Sequence, residues 1–168
     1  LQLSRADRHK ESLHLEEFDL SELTEMVAEE VHGLAESKAV TLTAEIEPGI
    51  LVKADQTLMM RIWLNLLTNA VKYVRQQGQI WLTLKSDGKN AVGTVRDDGI
   101  GISAAELPKI WKRFYRVNTA RSSGDDSGTG LGLAMVKWMV ESHGGTVSAV
   151  STLGAGSTFS FTIPLRPS

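Results

Sequence analysis

Residues 65–73, Asn65-Leu66-Leu67-Thr68-Asn69-Ala70-Val71-Lys72-Tyr73, close a helix-forming stretch that opens near Gln56. Met59, Ile62, Trp63, Leu66, Leu67, Ala70, Val71 and Val74 recur there at three- and four-residue spacing, which predicts an amphipathic helix over about 56–76. Asn65, Asn69, Lys72 and Tyr73 stand at i, i+4, i+7 and i+8 and share another face. On an isolated helix such a polar stripe is ordinarily a solvated surface. Asparagine is a mediocre helix former, however, and two of them one turn apart suit a face that offers amide oxygens to a hard cation, with Lys72 near for phosphate.

Two further stretches give that face company. A strand expected over 91–96 runs into Asp97-Asp98-Gly99-Ile100-Gly101-Ile102, where an aspartate can accept a hydrogen bond from an exocyclic amine and the glycines let the backbone turn tightly beside a ligand. Gly128-Thr129-Gly130-Leu131-Gly132-Leu133 then leads into a helix over about 130–143. The first amides of a helix lack partners and carry partial positive charge, so a triphosphate is the natural ligand there. This glycine run does not directly follow a strand in a βαβ unit, and it lacks the Gly-Lys-Ser/Thr ending of a P-loop. Both common nucleotide-binding folds are thereby excluded.

The remaining elements fill in around these. Phe18-Asp19-Leu20-Ser21-Glu22-Leu23 reads as a helix start, with Asp19 accepting from the amide of Glu22. Leu20, Leu23, Val27, Val31 and Leu34 follow as an apolar stripe. Strands are expected over 41–46 and 50–54, joined as a hairpin by Pro48-Gly49, and over 79–85 and 91–96, joined by Asp87-Gly88-Lys89-Asn90. Gly144-Gly145 stops the third helix, where His143 serves as a C-terminal cap, and two last strands cover 146–151 and 157–164. The sum is an α+β two-layer sandwich, a mixed and mostly antiparallel sheet with three main helices on one face. The tryptophans, Trp63, Trp81, Trp111 and Trp138, are expected to pack in the core or against the glycine-rich segment.

Composition narrows the function. The 168 residues carry 42% apolar and 23% charged side chains, enough for one globular domain with a short appendage. A net charge of -2 provides no basic field for nucleic acid, and the lack of cysteine excludes disulfides, thiolate metal sites and thiol nucleophiles. No apolar run approaches the roughly 20 residues that span a bilayer, so this piece is expected to be soluble. The opening at Leu1, without methionine, reads as a cut within a longer protein. Residues 1–15 are expected to be a helix tail and linker, and 16–168 the domain proper.

Taken together and in order, NLLTNAVKY (65–73), DDGIGI (97–102), IWKRFYRV (110–117) and GTGLGLAMVKWMVESHGG (128–145) resemble the N, first glycine, F and second glycine boxes of sensor histidine kinases. These belong to the Bergerat-fold, or GHKL, ATPase superfamily with gyrase B, Hsp90 and the mismatch-repair ATPases. The resemblance covers roughly residues 18–165. It implies that Asn69 ligates magnesium, assisted by Asn65, that Lys72 and Arg116 face phosphates, and that Tyr73 lies along the adenine. It implies that Asp97 accepts from the adenine amino group beside Gly99, Gly101 and Ile102. Gly128, Thr129, Gly130, Leu131, Gly132 and Leu133 would cover the phosphates, and residues 117–127 would form a mobile ATP lid. Asp98 departs from the usual asparagine, Trp111 from phenylalanine and Val74 from a small hydroxyl residue.

The hydrolytic relatives carry a glutamate one turn before the magnesium asparagine, whereas this chain has Asn65, an amide that cannot take a proton from water. The resemblance therefore implies a protein-histidine kinase that transfers the γ-phosphoryl group of ATP to a histidine elsewhere, for onward passage to a response regulator. None of His9, His14, His32 and His143 has the acidic residue and nearby proline that follow the family's acceptor, so the phosphoacceptor helical hairpin is expected just upstream of Leu1. Alone, the chain should bind nucleotide as a monomer with little turnover. The full protein would be a homodimer anchored in the bacterial cell membrane with this domain in the cytoplasm. An anti-sigma-type serine/threonine kinase fits Asn65 less well, and a binding module without catalysis fits the intact boxes less well.

Overall fold

The computed structural model describes residues 13–112 and 132–166. Residues 1–12, the segment 117–127, Arg116, Gly128, Thr129, Gly130 and Leu131 lie outside the described residues.

Strand β1 (Glu16–Asp19) leads directly into helix α1 (Leu20–Ser37). Asp19 caps α1 as expected, its Oδ1 accepting from the Glu22 amide at 3.1 Å. The buried side of α1 is formed by Leu20, Leu23, Thr24, Val27, Ala28, Val31 and Ala35. Leu34, expected in this stripe, is 41% exposed. Ala35 is buried in its place at the end of the helix, and its carbonyl accepts from both Lys38 and Val40 as the chain turns into β2.

Strands β2 (Thr41–Ile46) and β3 (Leu51–Ala54) stand where the sequence places them, but they do not pair with each other. β2 runs parallel to β4 (Gln79–Ser86), and β3 runs antiparallel to β1 in a separate two-stranded sheet. The expected hairpin is thus corrected. A turn signal permits a hairpin, yet both strands find better partners at longer range. Ser21 fixes the crossing, its Oγ donating to the Glu47 carbonyl at 2.5 Å and accepting from the Ile50 amide at 3.1 Å.

Helix α2 (Gln56–Tyr73) buries Met59, Ile62, Trp63, Leu66, Leu67, Ala70 and Val71. It ends three residues before the expected limit. Val74 leaves helical geometry at ψ 152° and sinks its side chain into the core at 4% exposure. β4 and β5 (Asn90–Asp97) form the expected hairpin. Helix α3 (Gly132–Ser142) precedes β6 (Val147–Thr152) and β7 (Gly156–Pro164).

The main sheet has the order β2-β4-β5-β7-β6, antiparallel throughout except for β2 against β4. Ile80, Leu82 and Leu84 of β4, Ala91 and Val95 of β5, and Phe159, Phe161 and Ile163 of β7 face the helices and close one core. The α+β two-layer architecture with three main helices is therefore as the sequence implies. Trp63 is wholly buried, edge-on to Phe161 at a 4.9 Å centroid distance. Trp81 departs from the expectation: it lies on the opposite side of the sheet, stacked beneath the Arg96 guanidinium at 4.5 Å.

Candidate active site

The candidate site gathers where the end of α2 meets the loop after β5. Asn65, Asn69, Lys72 and Tyr73 are all half-buried on α2, next to a fully packed apolar face, so their stripe is not an open solvated surface. Neither the Asn65 nor the Asn69 side-chain amide has a hydrogen-bond partner among the described residues. Lys72 places its Nζ 5.4 Å from the centre of the Tyr73 ring.

Asp97 ends β5 at 5% exposure, and its Oδ1 accepts from the Gly99 amide at 2.8 Å. Burial raises its carboxyl above the ordinary aspartate range, the neighbouring Asp98 charge adds to the rise, and backbone amides of Gly99 and Ser157 oppose it. A buried carboxylate acceptor at this place suits recognition of an amine.

Gly99 is required by contact. A Cβ there would stand 2.5 Å from the Tyr73 carbonyl oxygen and 3.0 Å from the Cα of Val74. The end of α2 and the loop thus meet backbone to backbone at this residue. Gly101 has φ +73°, and a Cβ on it would collide with the Thr152 carbonyl. Ile102 is buried, and its amide donates to Ser151 Oγ at 2.7 Å. Gly132 and Leu133 open α3, Gly132 exposed and Leu133 packed against the core.

The motif reading missed the β6–β7 turn, which braces the loop from behind. Ser151 Oγ bonds to the Gly156 carbonyl at 2.9 Å and to Ser157 Oγ at 2.8 Å while holding the Ile102 amide. The Gly154 amide donates to the Ile100 carbonyl at 2.7 Å, and the Arg75 guanidinium reaches the Gly154 carbonyl from the end of α2. The glycines of 152–156 read as an ordinary turn, and only the sheet order brings them under Asp97. Asp98 has a structural role as well: its Oδ1 accepts from the Gln79 amide at 2.9 Å, which extends the β4–β5 pairing by one step.

Residues 54–167 match the family described as histidine kinase-, DNA gyrase B-, and HSP90-like ATPase. The chain belongs to this family. Among curated relatives, this ATPase-family domain is 37% identical over 99% of its length to the sensor histidine kinase TmoS of Ectopseudomonas mendocina. It is 34% identical over 87% of its length to the sensor histidine kinase YclK of Bacillus subtilis. It spans only 17% of TmoS and 31% of YclK. Its fold is that of solved histidine kinase structures. It superposes on the mycobacterial sensor histidine kinase MprB with a TM-score of 0.79 at 29% identity, covering 91% of this chain and 100% of that one. The catalytic domain of the histidine kinase ThkA gives 0.80 at 25% identity, with 92% and 98% covered. No helix among the described residues is long and apolar enough to cross a membrane.

Proposed function

We propose that this domain binds Mg-ATP and delivers its γ-phosphoryl group to a histidine on a phosphoacceptor helical hairpin of the same protein, for passage to a response regulator. The observation that carries the reading is the meeting at Gly99 of the α2 end with the loop of Asp97. It joins a buried carboxylate to a helix face bearing two half-buried amides and a lysine.

The residues present fit the nucleotide. Asp97 would take the adenine amino group, with Gly99, Gly101 and Ile102 shaping the base pocket and Tyr73 flanking it. Asn69, with Asn65 one turn before it, would hold magnesium through neutral amide oxygens, and Lys72 would meet phosphate. Gly132 and Leu133 lie at the start of α3, where free amides favour anions. Arg116 and the glycines from Gly128 to Gly130 complete the set implied by the family boxes, with Thr129 and Leu131 between them. Bound magnesium would supply charge neutralisation between phosphates. The domain's own part is to orient the nucleotide and exclude water. With Asn65 at the position one turn before Asn69, no carboxylate from α2 can take a proton from water, which favours transfer over hydrolysis.

The same reading assigns residues 16–168 to the ATP-binding domain and 1–15 to the hairpin's tail and linker, in a membrane-anchored homodimer. Thermal unfolding tests the site. Mg-ADP at about 100 times its dissociation constant adds about 2.7 kcal/mol, a shift of roughly 5–10 °C for a chain of this size. The shift should require magnesium and disappear in Asn69→Ala; a parent protein indifferent to Mg-ADP would sink the proposal. Incubation with labelled ATP and the acceptor hairpin then tests transfer, and tight binding without label on the hairpin would leave a nucleotide-responsive binding module.

A further inference from the structure

The C-terminal end of α3 is joined to the start of α2 by one imidazole. His143 follows the last residue of α3, and its Nδ1 lies 2.7 Å from the Met139 carbonyl one turn back. This is the capping role expected from the sequence. The same ring reaches further: the Asp55 backbone amide donates to His143 Nε2 at 3.1 Å. Asp55 is the N-cap of α2, 8% exposed.

The two partners fix the ring's chemistry. A carbonyl can only accept, so Nδ1 carries the hydrogen; a backbone amide can only donate, so Nε2 is bare. The geometry selects the neutral Nδ1–H tautomer. An imidazolium or the Nε2–H tautomer would face the Asp55 N–H with another N–H and leave that amide without its partner. The Asp55 carboxylate is engaged elsewhere, Oδ1 accepting from Leu58 and Oδ2 from the His14 amide, each at 3.1 Å.

The place of this contact gives it a consequence for the candidate site. α2 and α3 pack against each other, and His143 joins the start of one to the end of the other. Along α3 the eleven residues back to Gly132 rise roughly 16 Å, and along α2 the ten residues from Asp55 to Asn65 rise roughly 15 Å. The junction therefore sets how far each helix advances toward the nucleotide. A slip of one turn, about 5.4 Å, would carry the glycine end of α3 past the asparagines.

We propose that His143, as the neutral Nδ1–H tautomer, is a positioning residue that fixes the register of α2 against α3 and thereby the placement of Asn65 and Asn69 relative to Gly132. The proposal rests on the nucleotide-site reading above. Its first test uses the unmutated protein: long-range proton–nitrogen correlation at neutral pH should show His143 with a protonated Nδ1 and an unprotonated Nε2, assigned by loss of the signals in His143→Asn. An Nε2–H ring, or one averaging between tautomers as free imidazole does, would overturn it. The second test is Mg-ADP affinity. His143→Asn keeps an N–H for the Met139 carbonyl but cannot reach Asp55, and should bind about tenfold more weakly, in the range of lost supporting contacts around metal sites. A folded variant with parental affinity overturns the positioning role alone, whereas a parent that binds no Mg-ADP overturns the nucleotide reading and this inference with it.

Discussion

Replacing Gly99 by alanine probes the junction on which the candidate site depends. The new Cβ would stand 2.5 Å from the Tyr73 carbonyl oxygen, 2.8 Å from Asp97 Oδ1 and 3.0 Å from the Cα of Val74. Ordinary contacts begin near 3.4 Å, so the loop and the helix end must part by about 0.9 Å. Two of the three atoms are backbone and cannot rotate away. Overpacking of this kind costs about 1–3 kcal/mol, and near 2 kcal/mol the melting temperature of a chain this long falls by about 4–8 °C. The same displacement moves the Asp97 carboxylate, whose Oδ1 is tied to the Gly99 amide. Losing one hydrogen bond to a charged group costs about 1.5–3 kcal/mol, which is about a ten- to hundredfold loss of affinity. Thermal melts and Mg-ADP titration by calorimetry read both effects. Gly33→Ala is the control: it sits on α1 with nothing within 4 Å of the added carbon, and should gain about 0.5–1 kcal/mol with binding unchanged. A Gly99→Ala protein that melts and binds like the parent would refute the backbone contact.

Three further outcomes are expected. Asp97→Asn should raise stability near pH 7, because burial holds the Asp97 carboxyl above its ordinary value and its ionised form costs the fold. The parent's folded state binds this proton more readily than its unfolded state, so the parent is relatively most stable at low pH. The variant's advantage should therefore shrink as pH falls through the raised folded-state value toward the ordinary aspartate range; denaturant melts from pH 7.5 to 4 follow it, and an advantage that grows on acidification would contradict the burial argument. The same variant should bind Mg-ADP at least about tenfold more weakly if Asp97 accepts from the base. Asp55→Ala removes a helix cap and an acceptor for the His14 amide together, about 2 kcal/mol in all, while Asp19→Ala removes an exposed cap alone, about 1 kcal/mol; urea unfolding of the pair should rank them in that order.

The two faces of α2 divide the labour of the domain. Its apolar side fixes the helix against the sheet, and its C-terminal end is held three ways: Val74 in the core, the Tyr73 carbonyl against Gly99, and Arg75 on the Gly154 carbonyl. The loop of Asp97 is held in turn by Ser151 and by the Gly154 amide. Both supports of the loop come from backbone or from a short hydroxyl side chain with few rotamers to lose, so the carboxylate is placed with little conformational freedom.

Local order was legible from the residues alone. The apolar period marked α1 and α2, strand patterning and turn residues marked β2 through β7, and Asp19 announced its helix cap, because periodicity, turns and capping act within a few residues of one another. The boxes around Asn69, Asp97 and Gly132 named the family, since residue type and order survive in the sequence without coordinates. Pairing across distance was not legible. That β2 joins β4 and not β3, that 16–19 form a strand against 51–54, and that the 152–156 turn braces the Asp97 loop all depend on which partners lie near after collapse. The second bond of His143 belongs with these, spanning 88 residues to Asp55. Strand partners and side-chain bonds at such separations are selected by the packing of the whole core, which no local window contains, and the tertiary structure alone decided them.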